Sequence, residues 1–538
     1  MAFPSVQHQQ QFNQTSGATD AVWVHTDPYS NRPQFSTLDT DKTCDVCVVG
    51  AGIAGISIAH ELVSRGKHVI LLEARTILSG ETGRTSGHLA NALDDHYTEI
   101  QKNFGHNGAK ASAASHSWAI DHVGKIVEQL DIECEFRRLP GYEISQHPRG
   151  DAKHDKDLQQ LQAETELASQ LGIEATFQPD LAINGWLKTG PDQRGGAVFE
   201  DQAAFHPTKY LLGVLGWLQK QTNFQCYTHT RVLKVEDDNG NKAAQVQTES
   251  GHTIKCAQAV EATNIPLQKL AVVAQLSYNR TYCVAMRVPK DSVEDCFIYD
   301  SAEAYKYVRL TSCDDTHDYL IVGGCDHEVA HEPSDNGRFD ELETWARERF
   351  PVQASHADYQ WSGQILEPFD YMAYIGKNQG NEYVYIVTGD SGNGLTHGVI
   401  AGRLIADEID GVNNPWASLY SPKRVASVVS SAGSILTHAA KINTQYKRFF
   451  TSDIEDIEDL LPGQGGVLNP KTGKPMAVYR DENGNVTKMS ALCPHLKGVV
   501  CWNAVEKSFD CPVHGSRFSS DGVCVMGPAK ANLPPVEA

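Results

Sequence analysis

Apolar and polar positions alternate along this chain with more than one period. From Asp45 to Ala74 the sequence reads DVCVVGAGIAGISIAHELVSRGKHVILLEA. DVCVV is a short unbroken apolar run, the signature of a strand buried on both faces. IAGISIAHELVSRG has helical spacing and stops on Gly66, and KHVILLE is a second buried run. Together they predict a βαβ unit. Helical spacing returns in ASAASHSWAIDHVGKIVEQL and KDLQQLQAETELASQLG. TRVLKVEDDNGNKAAQVQTESGHTIKCAQAVEAT predicts strands with a hairpin turn at Asn239-Gly240. KYVRLTSCDDTHDYLIVGG predicts an antiparallel pair, and YVYIVTGDSGNGLTHGVIAGRLIADEIDG a strand, a Gly-rich turn and a helix. A partly helical connector follows to about Asp453. From about Ile454, short strands with turns at Asn483-Gly484 and Asp521-Gly522 predict a small all-β domain.

Composition narrows the possibilities. A chain of 538 residues is too long for one core, so two or three domains are expected. The net charge of −21 repels nucleic-acid phosphates and anionic lipid, so neither is an expected partner. No apolar run reaches membrane-spanning length. The opening MAFPSVQHQQQFNQTSG lacks the basic and apolar regions of a secretory signal, and residues 1–43 read as a polar tail that starts disordered. Thirteen cysteines scattered over this length do not form a secreted disulfide framework, and a cytoplasmic location is the expectation.

Two motifs carry chemistry. Gly50, Gly52 and Gly55 form G-x-G-x-x-G between a strand and a helix, with Glu73 closing the next strand. In that context the first glycine permits the turn, the second lets backbone approach a pyrophosphate, and the third lets helix and strand pack closely. Glu73 is placed to accept a bond from a ribose hydroxyl. Near the other end, Cys493 and His495 are separated by fifteen residues from Cys511 and His514. Each half supplies one Cys and one His. That order suits a Rieske [2Fe–2S] cluster, in which one iron takes two Cys and the other two His. Structural zinc is the competing reading, although zinc fingers usually keep like ligands together.

Further segments resemble FAD-dependent oxidoreductases of the D-amino-acid oxidase and glycine oxidase group. SGETGRTSGHLANA resembles that group's loop beneath the flavin, TRVLKV the strand whose Val232 backbone meets the adenine, and VEATN the second strand near the phosphates, with Asn264 where Gly is usual. WSGQILEPFDYMAYIG and VTGDSGNGLTHGVIAGRLIADEI resemble the segments that close against the isoalloxazine. The whole chain is similar to proteins that join such an oxidoreductase to a C-terminal Rieske domain. The resemblance implies an α/β FAD-binding Rossmann-like domain with an interleaved antiparallel-sheet substrate domain over residues 44–412. A connector over 413–453 and a small all-β Rieske domain over 454–538 would follow.

It also implies roles. Arg84, Thr85, Ser86, Gly87 and His88 would lie near the flavin, and Gly389, Gly392, Gly394 and Thr396 would close over it. His88, Arg309, His327 and Tyr371, with Tyr307, are the candidates for substrate contact. The implied reaction is hydride transfer from a small molecule, an amine or amino-acid-like C–N bond, to FAD. Single electrons would then pass through the cluster to or from a one-electron partner. The alternative is an electron-transfer reductase serving a separate oxygenase, against which the lack of a second G-x-G-x-x-G speaks. Many Rieske domains also carry one extra cysteine per cluster loop, joined as a disulfide. The matching positions here are Gly498 and Val513, and Phe518 stands where Tyr is frequent. Ser516 remains to donate to a sulfur, and a potential toward the lower part of the Rieske range is expected.

Other motifs dissolve on inspection. His327-Glu328-Val329-Ala330-His331 follows a strand and precedes Pro333, so no zinc-protease helix fits. Gly389-Asp-Ser-Gly sits at a strand-to-helix turn, and Cys44-Asp-Val-Cys47 runs into a buried strand.

Overall fold

The computed structural model describes residues 11–267, 270–302, 304–332, 337–424, 446–470 and 473–536. The βαβ unit forms as expected: strand Lys42–Val49, helix Ile53–Ser64, strand Val69–Leu72. Val46–Val49 and Val69–Leu72 are all buried, because helices cover one face and the hairpin of Val232–Asp238 and Ala243–Thr248 packs on the other. The first strand pairs in parallel with Val69–Leu72 and with Thr253–Glu261. That strand in turn pairs in parallel with Val384–Thr388. Their carboxyl ends therefore bring Val49, Glu261 and Thr388 to one edge, the edge where ligands bind in such sheets. Helices Ile53–Ser64 and Gly394–Ile409 pack tightly behind it. A Cβ on Gly398 would lie 2.7 Å from Ile53 Cγ2, and one on Gly402 would lie 2.9 Å from Ser57 O.

The second sheet has nine strands, from Tyr359–Pro368 at one edge through Leu276–Pro289, His317–Glu328 and Tyr307–Ser312 to Arg137–Ile144 and Gly196–Ala204. The chain visits it between visits to the first sheet, so the two are interleaved. His327 and Glu328 end the strand His317–Glu328, which agrees with reading the HEVAH run as strand and turn.

The C-terminal region is all β. Gln464–Leu468, Met476–Arg480 and Val486–Ser490 make one antiparallel sheet, and four short strands from Cys501–Asn503 to Cys524–Met526 make another. Val467, Tyr479, Phe509 and Phe518 fill the core between them. No helix among the described residues is long and apolar enough to cross a membrane.

The disordered-tail expectation requires correction beyond residue 10. Residues 11–14 form a helical turn, and Phe12, Thr15, Ser16, Val22 and Trp23 are buried. Polar character misleads here because the polar groups are spent on buried bonds: Ser16 O accepts from Arg517, and Thr19 Oγ1 donates to Glu506 at 2.7 Å. Of the connector, Ala417–Tyr420 is helical and Tyr446–Phe450 is a 3₁₀ turn, while residues 425–445 lie outside the described residues.

Candidate functional site

Gly50, at the end of the first strand, has φ +105°, and a Cβ there would overlap Ala262 O. Only glycine suits both the turn and the close approach. A Cβ on Gly55 would overlap Gly50 O, so the third glycine lets the helix rest on the turn. The first turn of helix Ile53–Ser64 leaves its N–H groups and positive dipole end facing the same edge. Glu73 Oε2 accepts from Ala51 N at 2.9 Å and Oε1 from Arg75 N at 3.0 Å, which holds its carboxylate beside the turn. Asn264, standing where glycine is usual, adopts φ +64°, a region Asn enters more readily than other side chains.

These residues open into a cavity of about 300 Å³ between the two sheets. Gly50, Gly52, Glu73 and Val232 line one part, Arg84, Thr85, Ser86, His88, Gly392 and Gly394 another, and Val525, Met526 and Gly527 of the C-terminal region also reach the lining. Asn264, Tyr299, Thr388 and His397, all in the lining, each keep a buried polar atom without a hydrogen-bond partner among the described residues. Unmatched buried polar atoms around a void fit a polar ligand. The glycine geometry and these atoms together fit FAD.

Not every expected residue reaches the cavity. Gly87 is capped by Trp23 and Arg309, Gly389 packs on Pro368 (2.6 Å from an added Cβ), and Thr396 bonds His116 at 2.8 Å. Arg309, expected at the substrate, is buried behind the wall. It donates to Gly87 O and to Phe205 O at 3.1 Å and lies over the Trp23 ring. It anchors the loop that carries His88. His327 Nε2 lies 3.0 Å from Tyr282 OH within the substrate sheet, and Tyr371 occupies a turn at φ +69°. Neither lines the cavity, because strand alternation and the turn aim them elsewhere. His88 does line it, packed against Phe297 with ring centroids 4.2 Å apart. Burial, reinforced by Arg309, pushes its pKa down to about 3, so it is neutral in the working range.

Sequence reasoning misses Asp94. It lines the cavity beside Gly392 and accepts from Tyr305 OH at 2.5 Å. Burial pushes it up to about 6 against that hydrogen bond. Asp94 belongs to no local motif, and its partner Tyr305 lies 211 positions away, in the loop before strand Tyr307–Ser312.

At the C-terminal site the two cluster loops are the same turn built twice. Cys493 N donates to Gly498 O at 2.9 Å and Lys497 N to Cys493 O at 2.9 Å. In the second loop Cys511 N donates to Ser516 O at 2.7 Å and Gly515 N to Cys511 O at 3.0 Å. Lys497 and Gly515 both have positive φ, +60° and +68°. The two thiols face each other; that contact holds Cys493 down to about 7 and raises Cys511. Ser516 also points its hydroxyl at Cys493. The His495 and His514 rings lie 5.0 Å apart. No three His, Cys, Asp or Glu side chains among the described residues converge as ligands of a single ion would. A pair of sulfurs and a pair of imidazoles carried on these two loops fits two irons with different ligands.

The staple positions are opposite each other. A Cβ built on Gly498 would lie 3.4 Å from Val513 Cβ, close to disulfide spacing. Gly498→Cys with Val513→Cys is expected to form that bond. It should raise stability by up to ~3 kcal/mol for a loop of about 15 residues, read as a thermal midpoint that drops when reductant is added.

The cluster unit is bolted to the rest by buried charge. Glu506 pairs with Arg84, their side chains 0% and 1% exposed. Ser362 N and Oγ donate to the same carboxylate at 3.2 and 2.5 Å. Burial alone would raise Glu506; Arg84, Ser362 and Thr19 outweigh it and hold the carboxyl below its usual value. Arg280 reaches Asp510 at 3.4 Å beside Arg517 at 3.1 Å. Cys501 is a packing residue whose thiol donates to Ala330 O at 3.4 Å.

Comparison with known proteins agrees with this geometry. Residues 45–408 match the family model described as FAD dependent oxidoreductase, and residues 455–537 match the Rieske [2Fe-2S] domain. A Rieske 2Fe-2S iron-sulfur protein of Bacillus subtilis, YhfW, is 28% identical over 508 residues, covering 92% of this chain and 94% of its own. Gamma-glutamylputrescine oxidoreductase of Escherichia coli is 27% identical over 393 residues, covering 70% and 86%. The crystal structure of glycine oxidase from Geobacillus kaustophilus superposes with TM-score 0.58 at 16% identity, over 71% of this chain and 99% of that one. That likeness is one of fold.

Proposed function

Since the chain belongs to the FAD-dependent oxidoreductase family and carries a Rieske [2Fe–2S] domain, we propose that it oxidises a small amine at a C–N bond and passes the electrons singly through the cluster. FAD, when bound, takes up a hydride and can release electrons one at a time. In this reading residues 44–412 are the oxidoreductase unit, joined by 413–453 to the cluster unit, 454–538. Gly50, Gly52, Gly55, Glu73 and Val232 hold the AMP half of FAD. Arg84, Thr85, Ser86, His88, Gly392 and Gly394 border the flavin. Cys493 and Cys511 hold one iron, His495 and His514 the other.

Asp94 is the observation that carries the amine reading. Its carboxylate, ionised above about pH 6, presents negative charge to the cavity, which suits an ammonium group. The arginines in the lining are already committed. Arg84 pairs with Glu506, Arg75 donates to Ser79 O at 3.0 Å, and Arg231 donates to Cys524 O at 2.6 Å. A substrate carboxylate would have to compete for them. The name of the Escherichia coli relative points the same way.

Anaerobic mixing with amines, amino acids and NAD(P)H tests the proposal. Flavin bleaching by amines is expected; bleaching by NAD(P)H alone would reject it in favour of the reductase alternative. With a cationic amine, kcat/KM should rise as pH increases through about 6, where Asp94 ionises. Asp94→Asn should remove that step and lower kcat/KM roughly 10- to 100-fold, the scale of a hydrogen bond to a charged group.

A further inference from the structure

We propose that Gln364 is the bridge by which an electron passes from the flavin cavity to the cluster, entering on the His514 side. The inference rests on the reading that electrons flow from flavin to cluster and assigns that flow a route. Gln364 sits on the edge strand Tyr359–Pro368 and is 2% exposed. Its main-chain N donates at 2.6 Å to Glu81 Oε2, and both residues line the cavity. Its side chain goes the other way: Nε2 donates to Gly515 O at 3.4 Å, in the loop that carries His514. Its Oε1 is buried with no hydrogen-bond partner among the described residues. One residue thus touches both redox sites.

The surroundings enforce this contact. Gly515 admits no side chain: a Cβ there would overlap Gln364 Nε2 and lie 2.9 Å from Tyr278 Cδ1. The Tyr278 ring meets His514 edge-on with centroids 6.0 Å apart, and its hydroxyl is held by Val273 O at 2.9 Å. Ser362, two residues before Gln364 on the same face of the strand, is fixed to Glu506 of the cluster unit. The same buried network that docks the cluster unit therefore sets the Gln364–Gly515 distance. The two imidazole ligands are not equivalent. His514 is buried against the Tyr278 ring, whereas His495 is only half-buried and is followed by exposed Leu496 and Lys497.

The step moves one electron and makes or breaks no bond. The two-electron-reduced flavin loses one electron, and the cluster goes from two ferric ions to one ferric and one ferrous.

The test is laser-flash photoreduction of the flavin in the full-length, loaded protein, with EDTA as the photodonor. The cluster is followed by its visible bleaching, its EPR signal and its midpoint potential. In Gln364→Leu the cluster should be reduced several-fold more slowly than in wild type, because the hydrogen-bonded contact between the cavity wall and the cluster loop is lost. Its g-values and midpoint should not move. Gln364→Glu, nearly isosteric but lacking the Nε2 donor, should behave alike and serves if the leucine variant loads poorly. An unchanged rate in either variant overturns the proposal. So does slowing accompanied by a shifted midpoint, which marks a merely structural effect. If the wild-type cluster stays oxidised while the flavin is reduced, the flavin-to-cluster reading itself fails.

Discussion

Glu506→Ala is expected to destabilise the protein by about 3–5 kcal/mol, the range for breaking a buried ion pair by removing one partner. The size follows from what stays behind. Arg84 is almost fully enclosed, and its other hydrogen bonds are to Thr15, Thr19 and Ser362 O, none of them charged. Truncation leaves its guanidinium buried without that counter-charge and leaves Ser362 without its acceptor. The pair is not irreplaceable. Arg84→Met combined with Glu506→Leu should recover most of the loss, because matched apolar side chains can replace a buried pair at little net cost. Denaturant midpoints for the two single variants and the double variant check this. A double variant no better than Glu506→Ala would mean that Ser362, Thr19 and Ser16, and not the charge pair, hold the interface.

Gly55→Ala is expected to weaken flavin binding by roughly ten- to hundred-fold, from about 1–3 kcal/mol of overpacking at the turn. An added methyl would overlap the carbonyl oxygen of Gly50, a backbone atom with no rotamer to yield. Either the helix Ile53–Ser64 lifts away or the Gly50 turn opens, and each removes the helix end from the phosphates. Gly216→Ala is the control. It lies in the helix Pro207–Leu218, an added Cβ meets nothing within 4 Å, and the change should be neutral or slightly stabilising. Flavin content after dialysis and fluorescence titration of the apoprotein measure both.

The contrast between Arg84 and Gly55 shows which parts of this molecule can be read from sequence. Gly50, Gly52, Gly55 and Glu73 sit in one βαβ unit, and the two Cys/His pairs sit in two short loops. Their chemistry is written in local spacing. Arg309 and His327 look like substrate residues because strands near a cavity usually present such side chains to it. Whether they do depends on Trp23, Phe205 and Tyr282, which no local pattern announces. The same holds for Asp94 and Gln364, which acquire meaning only from Tyr305 and Gly515 across the fold. The N-terminal segment misleads for a different reason. Composition measures the mean tendency to bury surface, whereas Thr15 and Ser16 are buried through specific hydrogen bonds, to Arg84 and to Glu81 and Arg517.

The Arg84–Glu506 pair also has a consequence for how the protein is made. The partners stand 422 positions apart. At about 5–20 residues per second, a ribosome needs roughly 20–80 s after Arg84 to add Glu506. Throughout that interval the arginine lacks its counter-charge, so burying it is disfavoured and the loop that carries it packs less firmly. Closure around Arg84 is thereby favoured most once the cluster unit has arrived. Assembly of the two redox centres is thus linked in time as well as in space.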